Sequence, residues 1–461
     1  MEINEILVLA MFGTFIALLF TGFPVAWVLG GTGVLFAGVG YLTDQYLDTM
    51  TGLDYSTLGL AVGRIFGVME NWVLVALPMF IFMGLMLERS GVAERMMNAM
   101  QQLFGRVRGG LAITVTLIGI VLAASTGIIG ASVVLLGLMS VPVMLRQGYH
   151  RPLALGTVAA AGCLGILIPP SIMLVIMGDQ LRLSVGDLFM GAVFPGLILG
   201  LLYMGYILIY GRLRPDHAPL GYRPNEPGWS LLGRMLWTII PPAGLILAVL
   251  GSIFAGIATV IEASGIGALG ATLLAVLYRK LDFAVLREVV LNTFNTSAYI
   301  FAIFIGATVF SLVLRELGGD ELIESALASL ALHDYALLAL VLGVIFILGF
   351  FLDWIEITLV ILPLLKPVIS ALDIPIDGHG VVEEPLLLWF ALLVAVTLQT
   401  SFLTPPVGFA LFYLRGVSPP DVKLAEIYRG VVPFILLQLI GLLLLVLFPS
   451  VVTWLPAVAY R

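Results

Sequence analysis

Cysteine is all but missing: Cys163 is the only one in 461 residues. That excludes a disulfide within the chain and a cysteine-based metal site. Charge is scarce too, with 11% charged against 61% hydrophobic residues. A soluble protein of this length needs far more polar surface. No basic patch and no zinc-ligand spacing is present, so nucleic acid is not an expected partner. The four histidines (His150, His217, His333 and His379) fall in or beside polar connections. Without a histidine or cysteine cluster, or an acid pair in a helix, nothing points to enzyme chemistry. The opening residues, Met1-Glu2-Ile3-Asn4-Glu5, lack the basic stretch of a cleaved signal peptide. The first apolar run is therefore expected to stay as a helix.

What the chain has in abundance is apolar sequence in runs of bilayer-spanning length. Membrane segments are expected at about 5–21, 23–42, 73–88, 109–147, 152–177, 185–211, 235–250, 253–278, 288–314, 333–369, 386–415 and 430–450. The connections 88–108, 146–151, 212–234, 279–287 and 415–429 hold sixteen of the twenty-one Lys and Arg residues, which places them in the cytoplasm. The connections 43–56, 316–336 and 370–385 are acidic and carry no base. Segments 109–147 and 333–369 are close to twice one span, and each begins and ends on one side. Their centres, Ser125-Thr126-Gly127-Ile128-Ile129-Gly130-Ala131-Ser132 and Gly349-Phe350-Phe351-Leu352-Asp353-Trp354-Ile355-Glu356, look like buried tips rather than turns in water. Two re-entrant helical hairpins are expected.

The fold expected is therefore an all-α integral membrane protein with an inverted-topology repeat, about ten crossing helices and two hairpins. Residues 1–211 form the first repeat: three helices, an interfacial arm at 89–108, hairpin 109–147, broken helix 152–177 and a last helix. A cytoplasmic linker follows at 212–234. Residues 235–461 repeat the order, with an arm at 316–332, hairpin 333–369 and broken helix 386–415. Five crossings per copy invert the second, a common carrier design.

Each broken helix carries a double proline, in Gly165-Ile166-Leu167-Ile168-Pro169-Pro170-Ser171 and in Thr400-Ser401-Phe402-Leu403-Thr404-Pro405-Pro406-Val407-Gly408. Proline removes a donor and clashes with the preceding turn. The carbonyls set free cannot face lipid and must meet protein, water or an ion. Two cation sites are expected where each hairpin tip meets its break. The first comprises Ser125, Thr126, Gly127, Gly165, Ile168 and Pro169. The second comprises Gly349, Asp353, Thr400, Ser401, Thr404 and Pro405. Substrate is expected between the tips, at Ser132, Pro170, Ser171, Glu356, Pro406, Val407 and Gly408. Asp353 reads equally as an N-cap of the second hairpin arm. Glu262 reads as a hydrogen-bonded structural acid between helices. Arg64 and Arg182 read as interfacial residues that snorkel.

The chain resembles the large membrane subunit of tripartite ATP-independent periplasmic (TRAP) transporters. The resemblance rests on Phe23-Pro24-Val25-Ala26, Ala76-Leu77-Pro78-Met79-Phe80 with Gly84, Ile168-Pro169-Pro170-Ser171, Thr259 to Gly265 with Glu262, and Thr404-Pro405-Pro406-Val407-Gly408. Thr259-Val260-Ile261-Glu262 stands where the family has Thr-Pro-Thr-Glu, and the first tip departs from Ser-Gly-Ser. The resemblance implies an elevator mechanism in a multi-pass protein of the bacterial inner membrane. It implies sodium as coupling ion with no other cofactor or metal. It implies three further molecules: a small four-helix membrane subunit, a periplasmic solute-binding protein and an organic acid substrate, all within membrane lipid. A stand-alone sodium-coupled dicarboxylate or citrate carrier is the alternative, with a channel or a membrane-embedded enzyme behind it.

Overall fold

The computed structural model describes residues 3–47, 49–126, 129–221 and 228–459. Among them there is helix and connection but no strand. In the first half run α1 (Ile3–Leu19), α2 (Val25–Tyr46), α3 (Tyr55–Glu70), α4 (Ala76–Arg89), α5 (Val92–Phe104), α6 (Gly110–Thr126), α7 (Ile129–Arg146), α8 (Arg151–Cys163), α9 (Ile172–Leu181) and α10 (Val185–Leu213). The second half contains α11 (Gly228–Phe254), α12 (Val260–Leu277), α13 (Phe283–Glu316), α14 (Gly319–Ser329) and α15 (Asp334–Leu348). It continues with α16 (Trp354–Glu356), α17 (Leu362–Ser370), α18 (Pro385–Leu403), α19 (Phe409–Val417), α20 (Leu424–Leu447) and α21 (Ser450–Ala459). Among the described residues, nine helices are long and apolar enough to cross a membrane.

Pairs of successive helices stand in the place of both expected hairpins. The first is α6 against α7. The second has α15 as its first arm; its second arm is α16, a π turn (Ile357–Ile361) and α17. The arms α5 and α14 precede them. Two helices were not anticipated. Helix α3 interleaves Gly59, Gly63, Gly67 and Arg64 with its apolar residues, which shortens the apolar run. Helix α21 follows a break at Pro449 and carries Pro456.

Burial separates two layers. Helices α8 and α18 are apolar on every face and enclosed: every residue from Leu153 to Cys163 and from Leu387 to Leu403 is buried. A helix hydrophobic all round belongs in a core. Each packs against its own hairpin, and α8 also crosses α20. That crossing depends on glycine, since a Cβ on Gly156 would stand 2.0 Å from the Gly430 carbonyl oxygen. Small residues let membrane helices approach closely. Buried polar side chains tie the layer together: Gln438 Nε2 donates to the Tyr203 hydroxyl at 2.9 Å, and Trp389 Nε1 donates to the Leu445 carbonyl at 2.8 Å. In the other layer α2 packs on α13 and α4 on α12. Its outer surface exposes Trp27, Leu35, Leu269 and Phe294, residues suited to hydrocarbon.

Candidate functional site

The prolines end their helices as their chemistry requires. Helix α8 tightens into a single 3₁₀ turn at Leu164–Ile166, the chain is irregular through Pro169 and Pro170, and α9 resumes at Ile172. Both Pro169–Pro170 and Pro405–Pro406 are cis. The Ser171 hydroxyl donates to the Ile166 carbonyl at 2.6 Å, so one freed carbonyl is satisfied by protein. In the second break Thr404 Oγ1 donates to the Thr400 carbonyl at 2.7 Å, and the Tyr428 hydroxyl donates to the Pro406 carbonyl at 3.0 Å. A hydroxyl that donates its proton still has lone pairs to offer a cation.

The structure brings the second hairpin tip directly onto its break. Ser401 Oγ donates across to the Phe346 carbonyl at 2.8 Å. Gly349 lies so close that a Cβ there would stand 2.5 Å from Ser401 Oγ. Asp353 is the N-cap of α16, accepting from the Trp354 amide at 2.8 Å. Thr400 and Ser401 are buried, and Thr404 and Pro405 partly so. On the first side, α6 and α7 both pack on the 3₁₀ turn that holds Gly165. Pro169 is buried beside Ile168, whose side chain packs on Gly196 of α10. Gly127 lies outside the described residues, and Ser125 and Thr126 are described as helical backbone only.

A cavity of about 250 Å³ lies where the tips meet. Ile129 and Gly130 of the first hairpin line it, with Phe351, Leu352, Asp353, Trp354 and Glu356 of the second. Tyr299 of α13, Phe409 and Tyr413 of α19, and the turn between α1 and α2 at Leu19, Phe23 and Val25 complete it. Its charge is one-sided: Asp353 and Glu356 line it and no base does. Glu356 is 1% exposed and neither of its carboxyl oxygens has a hydrogen-bond partner. A buried carboxylate in that condition needs a proton donor or a cation.

Of the expected substrate residues, Glu356 lines this cavity; Ser132, Pro170, Ser171, Pro406, Val407 and Gly408 do not. Ser132 and Ser171 are fully buried, Pro406 is exposed, and Gly408 opens α19 one residue before the lining Phe409. The aromatic lining was not anticipated. The sequence signal for it was adjacency, since Phe351 and Trp354 flank Asp353, and Phe409 follows the second break. Glu262 needs a correction. It is exposed and completes a capping box at the start of α12, with Oε2 accepting from the Thr259 amide and hydroxyl, each at 2.8 Å. It caps a helix end rather than joining two helices, which is the role of Glu three residues after a Thr N-cap.

The class defined by this geometry is a polytopic helical membrane protein with a small cavity where two hairpin tips meet α13 and α19. The chain belongs to the family of the DctM component of tripartite ATP-independent periplasmic transporters, whose sequence profile matches residues 12–451. It is 30% identical over 403 residues to the C4-dicarboxylate TRAP transporter large permease protein DctM of Pseudomonas aeruginosa, covering 87% of this chain and 90% of that one. It is 27% identical over 443 residues to the isethionate TRAP transporter permease protein DctMQ of Oleidesulfovibrio alaskensis. That match covers 96% of this chain but 65% of the longer relative. In fold it is similar to the YdaH transporter of Alcanivorax borkumensis, with a TM-score of 0.58 and 14% identity over 86% of this chain and 90% of that one.

Proposed function

We propose that this chain is the translocating subunit for uptake of a small organic acid across the bacterial inner membrane, driven by sodium. It works with a small four-helix membrane subunit and a periplasmic binding protein that delivers the acid. The relatives support an acidic substrate, one being a C4-dicarboxylate permease and another an isethionate permease. The observation that carries sodium coupling is the charge of the cavity. Two like charges about 5 Å apart at an effective dielectric of about 20 repel by roughly 3 kcal/mol. An organic anion entering beside Asp353 and Glu356, with no base to meet it, needs cations bound at the same time. Sodium ions at the two tip-and-break junctions would supply them. They would also fasten each hairpin to its broken helix, so that only the loaded unit closes.

The moving unit in this reading is the hairpins with α8, α9, α18 and α19. The stationary one holds α2, α4, α12 and α13. The two halves, 1–211 and 235–461, are inverted copies joined by the linker 212–234. The pairing of α2 with α13 and of α4 with α12 supports this, because exchanging the halves turns one pair into the other. The test is reconstitution in proteoliposomes of this chain, the small subunit and the binding protein, with a panel of labelled carboxylates and sulfonates. Uptake of at least one acid should need an inward sodium gradient and the binding protein. Full uptake by this chain alone would favour a stand-alone carrier.

A further inference from the structure

We infer that the outer end of the seam between α13 and the second hairpin is an anion-binding vestibule. There Arg64, Arg182 and Arg315 converge to take the carboxylate or sulfonate of the substrate before it reaches the tips. This rests on the proposed function for the acidic substrate and for which side is outer, while the pocket itself does not.

The bases outside the cytoplasmic connections are few and not scattered. Outside the five cytoplasmic connections the chain holds Arg64, Arg182, Arg315, Lys366 and Arg461. Three of these line a single pocket of about 380 Å³, although they come from α3, the turn after α9, and α13. Lys366 of α17 stands beside it, donating to the Leu181 carbonyl at 2.7 Å, one residue from Arg182. No carboxylate lines the pocket. Arg315 has one partial counter-charge, with Nε 3.3 Å from Asp320 Oδ2. Among the described residues Arg64 and Arg182 have no acidic partner within salt-bridge distance. Bases that merely snorkel have no reason to gather, and gathered guanidinium groups repel one another until an anion joins them. Their planar forks match the two oxygens of a carboxylate.

The pocket is also in the right place. Its lining includes Thr308 and Ser311 of α13 and Leu359 and Pro363 of the second hairpin arm. The tip cavity uses Tyr299 of the same helix and Glu356 of the same arm. Tyr299 and Arg315 are sixteen residues apart on α13, roughly 24 Å along it. One seam thus carries a basic pocket at one end and an acidic cavity at the other. The basic end draws an acid in, and the acidic end accepts it only with its cations. A concave pocket with protein on several sides suits a small anion better than a lipid headgroup, which approaches from an open flank.

Phenylglyoxal footprinting of the intact chain in phosphatidylcholine nanodiscs tests this without requiring transport. Succinate and isethionate are the probes, sucrose is the control, and peptide mass spectrometry reads each arginine. At least one probe should slow modification of Arg64 and Arg182 severalfold and leave Arg212, in a cytoplasmic connection, unchanged. No protection by either anion overturns the proposal. So does full protection by phosphatidylglycerol without any effect of the anions, because the occupant is then a lipid phosphate. In uptake assays Arg64→Gln and Arg182→Gln should each raise the half-saturating substrate concentration by about tenfold, as expected for a lost charge-assisted contact. Arg212→Gln should not. Unaltered half-saturation in both pocket variants also overturns it. A sodium-independent parent would refute the proposed coupling but leave the footprint readable.

Discussion

Gly349→Ala places a methyl group where the second hairpin meets its broken helix. The new Cβ would stand 2.5 Å from Ser401 Oγ and 2.9 Å from Ser401 Cβ, so one element must give way. Ser401 cannot simply rotate, because its hydroxyl is bonded to the Phe346 carbonyl of the same arm. Overpacking of this kind costs about 1–3 kcal/mol, and loss of the buried hydrogen bond adds about 0.5–1.5 kcal/mol. Together they disfavour the assembled junction by about 2–4 kcal/mol, or roughly thirtyfold to several hundredfold in the equilibrium. If sodium binds at that junction, the half-saturating sodium concentration for uptake rises steeply, and sodium no longer raises the melting temperature in detergent as it does for the parent. Gly343→Ala, on the same arm with nothing within 4 Å of its new Cβ, should leave both unchanged. Parental sodium dependence in Gly349→Ala would refute the assignment of a cation to this junction.

Two further predictions test other levels of the account. Burial, and then His217, hold the imidazole of His150 below its ordinary pKa, the rings being stacked with centroids 4.2 Å apart. Above about pH 6.5 neither folded nor unfolded chain binds this proton. Below it the unfolded form takes the proton first, so stability here is lost as pH falls. The protection factor of the His150 amide, whose N–H donates to the His217 carbonyl at 3.0 Å, should fall on acidification, and unchanged protection at pH 5 would contradict this. For topology, single cysteines at Asn4, Asp216 and Val458 in a Cys163→Ala background should label with an impermeant thiol reagent from outside at the first and last positions only. External labelling at Asp216 would remove the inverted repeat.

How much of this was legible in the sequence depends on the range of the interaction concerned. The hairpins, the arms and the two broken helices are local facts: apolar run length, a polar tip, a double proline. The N-cap role of Asp353 was one of two readings open, and the observed geometry adds the cap without removing the carboxylate from the cavity. Helix α3 escaped notice because its glycines and Arg64 interrupt the apolar signal, and its exposed apolar residues have no partner in the sequence pattern. Glu262 was misread because an acid inside an apolar run resembles a buried acid, whereas the helix begins just before it. The aromatic lining and the meeting of Arg64, Arg182 and Arg315 lay beyond reach for another reason. They depend on which distant segments touch, and no periodicity encodes that.

The central claim is that sodium and substrate move together through the cavity between the hairpin tips. Its most direct test is paired flux in proteoliposomes holding the complete transporter, with ²²Na⁺ and labelled substrate followed in the same vesicles. The account predicts that substrate entry brings sodium with it in a fixed ratio, and that Gly349→Ala depresses both fluxes in parallel. Substrate accumulating at the parental rate with no accompanying sodium entry would contradict it.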